Sequence, residues 1–165
     1  MRKHFLFFLS FFFIACLSKK YDFNNNEKIA DYSENNIIFA IDTLRFKKHI
    51  ANEIFFNENK SFDKMEICYE KSIGDTIIDY YFLKLTDFKR NISTIRYLEK
   101  RDNSFFFDNN SSEKALFVTC ICNSNKNYFP KLAIIKKGRF WICGNSIGQC
   151  SPDSECQIMK AIILE

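Results

Sequence analysis

Apolar and polar residues change their spacing several times along this chain. Ile37, Ile41, Leu44, Ile50 and Ile54 recur at helical intervals with Arg45, Lys47 and Lys48 on the opposite side, which makes Ile37 to Phe56 a helix candidate. A strand over Asn36 to Ile41 followed by a shorter helix satisfies the same residues. The period then falls to two. Met65, Ile67 and Tyr69 alternate with Glu66, Cys68 and Glu70, the mark of a half-buried strand. Ser72-Ile73-Gly74-Asp75 supplies a turn, and Thr76 to Leu85 is rich in Ile, Tyr and Phe, so residues 65–85 read as a hairpin. Ile92 to Lys100 and Ser104 to Asp108 flank Arg101-Asp102-Asn103 as a second hairpin, with a helix capped by Asp87 and running through Glu99 as the alternative. Ala115 to Cys122 reads as a buried strand and Ile158 to Leu164 as a final one. Leu132 to Ile135 and Phe140 to Cys143 face each other across Lys136-Lys137-Gly138-Arg139, where Gly138 suits the left-handed turn position. Six or more short strands separated by turns predict an α+β fold: mainly an antiparallel β-sheet, sandwich or meander, with one N-terminal helix.

The beginning of the chain follows a different rule. Arg2, Lys3 and His4 precede a nearly uncharged apolar run from Phe5 to Leu17, the pattern of a secretory signal peptide. As a helix that run spans roughly 20 Å, short of the ~30 Å hydrocarbon core of a bilayer, so a retained transmembrane helix is not expected. It ends in Phe13-Ile14-Ala15-Cys16, which resembles the lipobox of bacterial lipoproteins. The resemblance implies cleavage before Cys16, lipidation of its thiol and an anchor in an envelope membrane, and it implies no fold. The competing reading is cleavage after Ser18, with Cys16 and Ser18 as the small residues, and a soluble secreted product. Residues 17–36 carry Lys19, Lys20, Asp22, Glu27, Asp31, Glu34 and several Asn, too polar a set to bury a face. The expected organisation is a signal peptide over 1–15, a lipidated cysteine with a flexible tether over 16–36, and one globular domain over 37–165.

Charge narrows the partners. The chain of 165 residues carries a net charge of +4; loss of Arg2 and Lys3 lowers Lys plus Arg from 24 to 22 against 20 Asp plus Glu, leaving about +2. That is no nucleic-acid footprint. His4 and His49 are the two histidines, and His4 lies in the signal segment, so histidine dyads and multi-histidine metal sites are not expected in the mature chain.

Seven cysteines are present: Cys16, Cys68, Cys120, Cys122, Cys143, Cys150 and Cys156. Setting Cys16 aside leaves six in an exported chain, which are expected to form three disulfides, with connectivity open. Cys120 and Cys122 stand two apart on a strand, share a face and should bond to different partners. A four-cysteine zinc site lacks C-x₂-C pairs, and a redox role lacks C-x-x-C, so neither a metal nor another cofactor is expected.

Candidate catalytic groups fare poorly. Gly144-Asn145-Ser146-Ile147-Gly148 matches G-x-S-x-G after a strand, but Cys150 and Pro152 follow instead of a helix, and no histidine lies downstream to serve as base. Ser146 is read as a turn residue. His49, among Arg45, Lys47 and Lys48, is read as part of a solvated helix face. Asp63 with Glu66, or Asp79 with Asp87, could form a carboxylate couple only if the fold set their separation. The aromatic runs Tyr80-Tyr81-Phe82 and Phe105-Phe106-Phe107 must be covered on both sides of a strand or expose one face. No catalytic residue is assigned. The expected function is a membrane-anchored envelope lipoprotein with a non-enzymatic binding or protective role, its ligand a protein or an envelope polymer; the alternative is a soluble secreted hydrolase, inhibitor or effector.

Overall fold

The structure, a computed structural model, describes residues 27–34, 36–56, 60–108, 114, 116–123, 128–143 and 156–161. The segment expected to act as a signal peptide, Cys16, Ser146 and Cys150 lie outside them. The described elements run β1 (Lys28–Ser33), β2 (Asn36–Phe39), α1 (Thr43–Phe55), β3 (Lys64–Lys71), β4 (Ile73–Gly74), β5 (Asp79–Asp87), β6 (Ile92–Arg101), β7 (Ser104–Phe107), β8 (Phe117–Cys122), β9 (Pro130–Ile135), β10 (Gly138–Cys143) and β11 (Cys156–Ala161). The fold is α+β and mainly antiparallel β, with a single described helix near the start.

β6 organises the larger, eight-stranded sheet. One edge of β6 pairs with β5, which in turn pairs with β3. The other edge is shared: Ile92 to Ile95 pair with β8, whereas Leu98 to Arg101 pair with β7. From that fork one branch continues through β8 to β11 and the other through β7 and β1 to β2. Ile92 to Leu98 are all buried, as expected of a strand covered on both faces.

The two faces of this sheet carry different layers. Leu83, Leu85, Leu98, Phe107 and Phe117 meet Phe46, Ile50, Ala51 and Ile54 of α1 on one side. Tyr80, Phe82, Ile95, Tyr97 and Val118 meet Leu132, Ile134 and Trp141 of a three-stranded β10-β9-β4 sheet on the other. Alternation along β5 sends Tyr80 and Phe82 one way and Tyr81, Leu83 and Leu85 the other. The aromatic runs thus divide between two cores, with Tyr80, Phe82, Phe105 and Phe107 buried. Tyr80 also uses its polar end, its hydroxyl accepting from the Leu132 N–H at 3.2 Å across the layers.

Helix α1 begins where Asp42 caps it, its carboxylate accepting from the Leu44 and Arg45 N–H groups at 3.1 Å each. It ends at Phe56, whose φ of 50° is left-handed. Of the two readings of residues 37–56, the strand followed by a shorter helix is the one adopted.

Three expectations need correction. The tether does not extend to residue 36: Lys28–Ser33 forms β1, paired with both β2 and β7, and Ile29 and Ala30 are fully buried. The segment's polar composition hid two apolar residues, which suffice because sheet pairing satisfies the backbone groups. The Asp31 carboxylate secures the strand, accepting from Lys28 Nζ at 2.8 Å and Ser104 Oγ at 2.6 Å. In the β9–β10 turn the left-handed residues are Lys136 (φ 48°) and Lys137 (φ 66°), while Gly138 pairs with Ile135 as the first residue of β10. A Cβ on Gly138 would stand 2.8 Å from the far end of the half-exposed Phe140 ring, so a larger residue there would displace that ring. His49 is half-buried, because its position on α1 lies between the core-facing Phe46 and Ile50.

Candidate functional site

β8 carries the covalent bracing. Cys120 and Cys122 point to the same face, toward the smaller sheet, and each takes a different partner. Cys120 bonds to Cys143 of β10 with Cα atoms 5.8 Å apart, and so pins one sheet to the other. Cys122 bonds to Cys156 of β11, its direct antiparallel neighbour, with Cα atoms 4.0 Å apart. Both bonds tie chain ends of the fold to its central strands.

Of the six cysteines expected to pair, four form these two bonds, and Cys150 lies outside the described residues. Cys68 stands on β3 opposite Phe82 as a free thiol, half-buried against the core between the sheets. Burial first, then the nearby Glu66 carboxylate, push its pKa up to about 11. A thiol so shifted is almost wholly protonated near neutrality and is a poor nucleophile.

The fork in the sheet is filled by Arg96. Phe107 ends β7 and Phe117 begins β8, so their rings stand where the two strands diverge along β6. The Arg96 guanidinium carbon lies 4.1 Å from the Phe107 ring centre and 4.9 Å from that of Phe117. Burial lowers its pKa to about 10, with the Glu27 carboxylate opposing the shift, so the group is charged at neutral pH. Next to it, Thr94 and Thr119 share a buried hydroxyl hydrogen bond of 2.9 Å. Lys114 and Asp108 pair at 2.6 Å across the connection that follows the fork. This cluster acts as a structural bolt: a long side chain whose stem and flat cation fill a gap that strand pairing leaves open.

The carboxylates weighed as catalytic groups are engaged elsewhere. Glu66 pairs with Lys64 at 2.6 Å and Lys84 at 3.4 Å. Asp87 is held by Arg90, and Asp63 accepts from the Phe88 N–H at 2.9 Å. Asp79 hydrogen-bonds Tyr69 and thereby raises the phenol's pKa. The Glu66 contacts join neighbouring strands, and the others anchor a strand end or turn. Among the described residues no three His, Cys, Asp or Glu side chains gather to hold a metal ion.

Two surfaces offer interaction chemistry instead. β2 ends one branch of the large sheet with its outer edge unpaired by any described strand, and it exposes Ile37 and Ile38, the latter to 57%. Native edge strands are usually guarded by charge, as β3 is by Lys64 and Glu66; β2 has none within it. The other surface is the β9–β10 tip, where Lys136, Lys137, Arg139 and Phe140 are all exposed. Sequence periodicity found both strands but not these surfaces, because β2's position at an edge and the outward path of the tip follow from strand order.

Comparison with models of protein families, with curated proteins and with solved structures finds no match to this chain.

Proposed function

We propose that the protein is an exported binding protein, held to a bacterial envelope membrane by a lipid on Cys16 and acting without catalysis. The observation that carries this reading is the pairing of Cys120 with Cys143 and Cys122 with Cys156 in a chain that begins with a signal-like segment. Both features call for an oxidising compartment. The described fold begins at β1, leaving eleven residues, 17–27, between Cys16 and Lys28. That length spans up to roughly 40 Å, enough to hold the domain at a membrane surface without constraining its orientation. The open β2 edge suits a protein segment in extended conformation, which would gain backbone hydrogen bonds and two aliphatic contacts at once.

Intact mass of the protein from its native host, alkylated without reduction, tests the anchor. A start at Cys16 carrying acyl mass is the expected result. An unlipidated start near Lys19 would replace the anchored reading with a soluble secreted one.

A further inference from the structure

The β9–β10 tip combines features that no packing requirement demands. A two-residue loop with both residues left-handed favours Asn-Gly, yet Lys136 and Lys137 occupy it. Among the described residues neither they nor Arg139 makes an ion pair. The acidic group at the tip is Asp75, exposed in the loop after β4, whose carboxylate accepts from the Lys136 backbone N–H at 2.8 Å. Three cations against one carboxylate leave the tip at +2. Phe140 adds an apolar ring, half exposed and lying over Gly138, and the loop after Asp75 adds Ile77, exposed to 57%.

The parallel pairing of β4 with β9, from Ile73 opposite Ala133 to Gly74 opposite Ile134, and the Tyr80–Leu132 contact place this tip beyond the end of β3. Lys28 lies opposite Phe106, Phe106 opposite Glu99, and Leu98 opposite Tyr81. Two residues beyond Tyr81, Asp79 pairs with Lys71 at the end of β3 from which β4 departs.

We infer that the tip of the β9–β10 hairpin docks on the anionic headgroups of the membrane that holds the lipid anchor. The inference rests on the anchored reading for its setting, because the tether keeps the tip within reach of that surface. Its chemistry stands alone: Lys136, Lys137 and Arg139 meet the phosphates, and the Phe140 ring enters the interfacial layer, where aromatic rings are favoured. The lipid confines the domain to the surface, and the tip sets which side of the domain faces it.

The test uses the chain from residue 16 to 165 with Cys16→Ser, so that no acyl group contributes. Its partition onto vesicles of one-third phosphatidylglycerol in phosphatidylcholine is measured by co-sedimentation at low salt, beside pure phosphatidylcholine. Binding to the anionic vesicles is expected, with release at 0.5 M salt. Lys136→Gln/Lys137→Gln/Arg139→Gln should lower the partition coefficient roughly 100-fold, since each cation near such a surface contributes about fivefold. Arg45→Gln/Lys48→Gln/Lys89→Gln removes the same charge from other exposed positions and should lower it less than threefold. Equal losses in the two variants, equal binding to both vesicle types, or no binding to either would each overturn the inference. Retention on a soluble polyanion without binding to vesicles would overturn it as well. Absent partition with an acylated Cys16 would remove the docking surface and leave the anchor; clear partition with an unlipidated Cys16 would do the reverse.

Discussion

Replacing Cys120 and Cys143 together by Ala removes the covalent pin between the two sheets. The bond closes a chain separation of 23 residues, for which loop-closure entropy assigns about 3.4 kcal/mol at 25 °C. Cys120 is fully buried, so a small further loss of packing adds to this. A domain of this size is stable by roughly 5–15 kcal/mol, which makes the loss about a quarter to two-thirds of the total. Urea unfolding followed by Trp141 fluorescence and far-UV circular dichroism should show the midpoint fall, and the melting temperature should drop by on the order of 10 °C. Cys122→Ala/Cys156→Ala closes a separation of 34 residues and by the same relation should cost about 3.8 kcal/mol. The two closed loops overlap, so removing both bonds should cost less than the sum. A loss below about 1 kcal/mol for Cys120→Ala/Cys143→Ala, with an unchanged urea slope, would refute the claim that this bond holds the layers together.

Other outcomes follow from the same geometry. Native Cys68 should react with iodoacetamide at pH 8 about 100-fold more slowly than a free thiol, because two units of pKa separate their thiolate fractions; a comparable rate, read by peptide mass, would contradict the buried placement. The same raised pKa means that the folded state holds its proton while the unfolded thiol ionises. Stability from this group should therefore be complete below pH 9 and decline between about pH 9 and 11, an effect absent from Cys68→Ala in chemical unfolding across that range. Arg96→Ala should cost about 3–5 kcal/mol in urea unfolding by opening the fork between Phe107 and Phe117, and Arg96→Met with Glu27→Gln should recover most of it; equal losses would assign the effect to charge and not to filled volume. Lys136→Asn/Lys137→Gly should raise stability by about 1 kcal/mol as the left-handed backbone is relieved, visible as a higher melting temperature, and a lower one would remove the strain assigned to that turn.

Local pattern carried the fold far. Alternation over Met65 to Glu70 identifies β3, the turn residues at Arg101-Asp102-Asn103 offer the β6–β7 hairpin beside a helical alternative that the structure does not adopt, and two cysteines separated by one residue share a face. Each of these depends on neighbours within a few residues. The weaker signals failed where context ruled: Ile29 and Ala30 were lost in a polar segment, and Gly138 drew the turn assignment away from Lys136 and Lys137.

Interaction surfaces lay further from view. Whether Ile37 and Ile38 are core or surface depends on β2 being last in its branch, which no feature of those residues states. Cys68 differs from its sister cysteines in the same way: its residue type and spacing suit a disulfide, but its strand lies across the sheet from β8.

The amino-acid sequence by itself determined most of the strands, the presence of a helix before Phe56 and the same-face pair of cysteines, because those follow from side-chain period and local backbone preference. Strand order, the fork at Arg96, the pairing of the cysteines and the exposure of the basic tip were decided by tertiary structure. They depend on which segments distant in the chain cover one another's apolar faces, and that choice belongs to the whole chain at once.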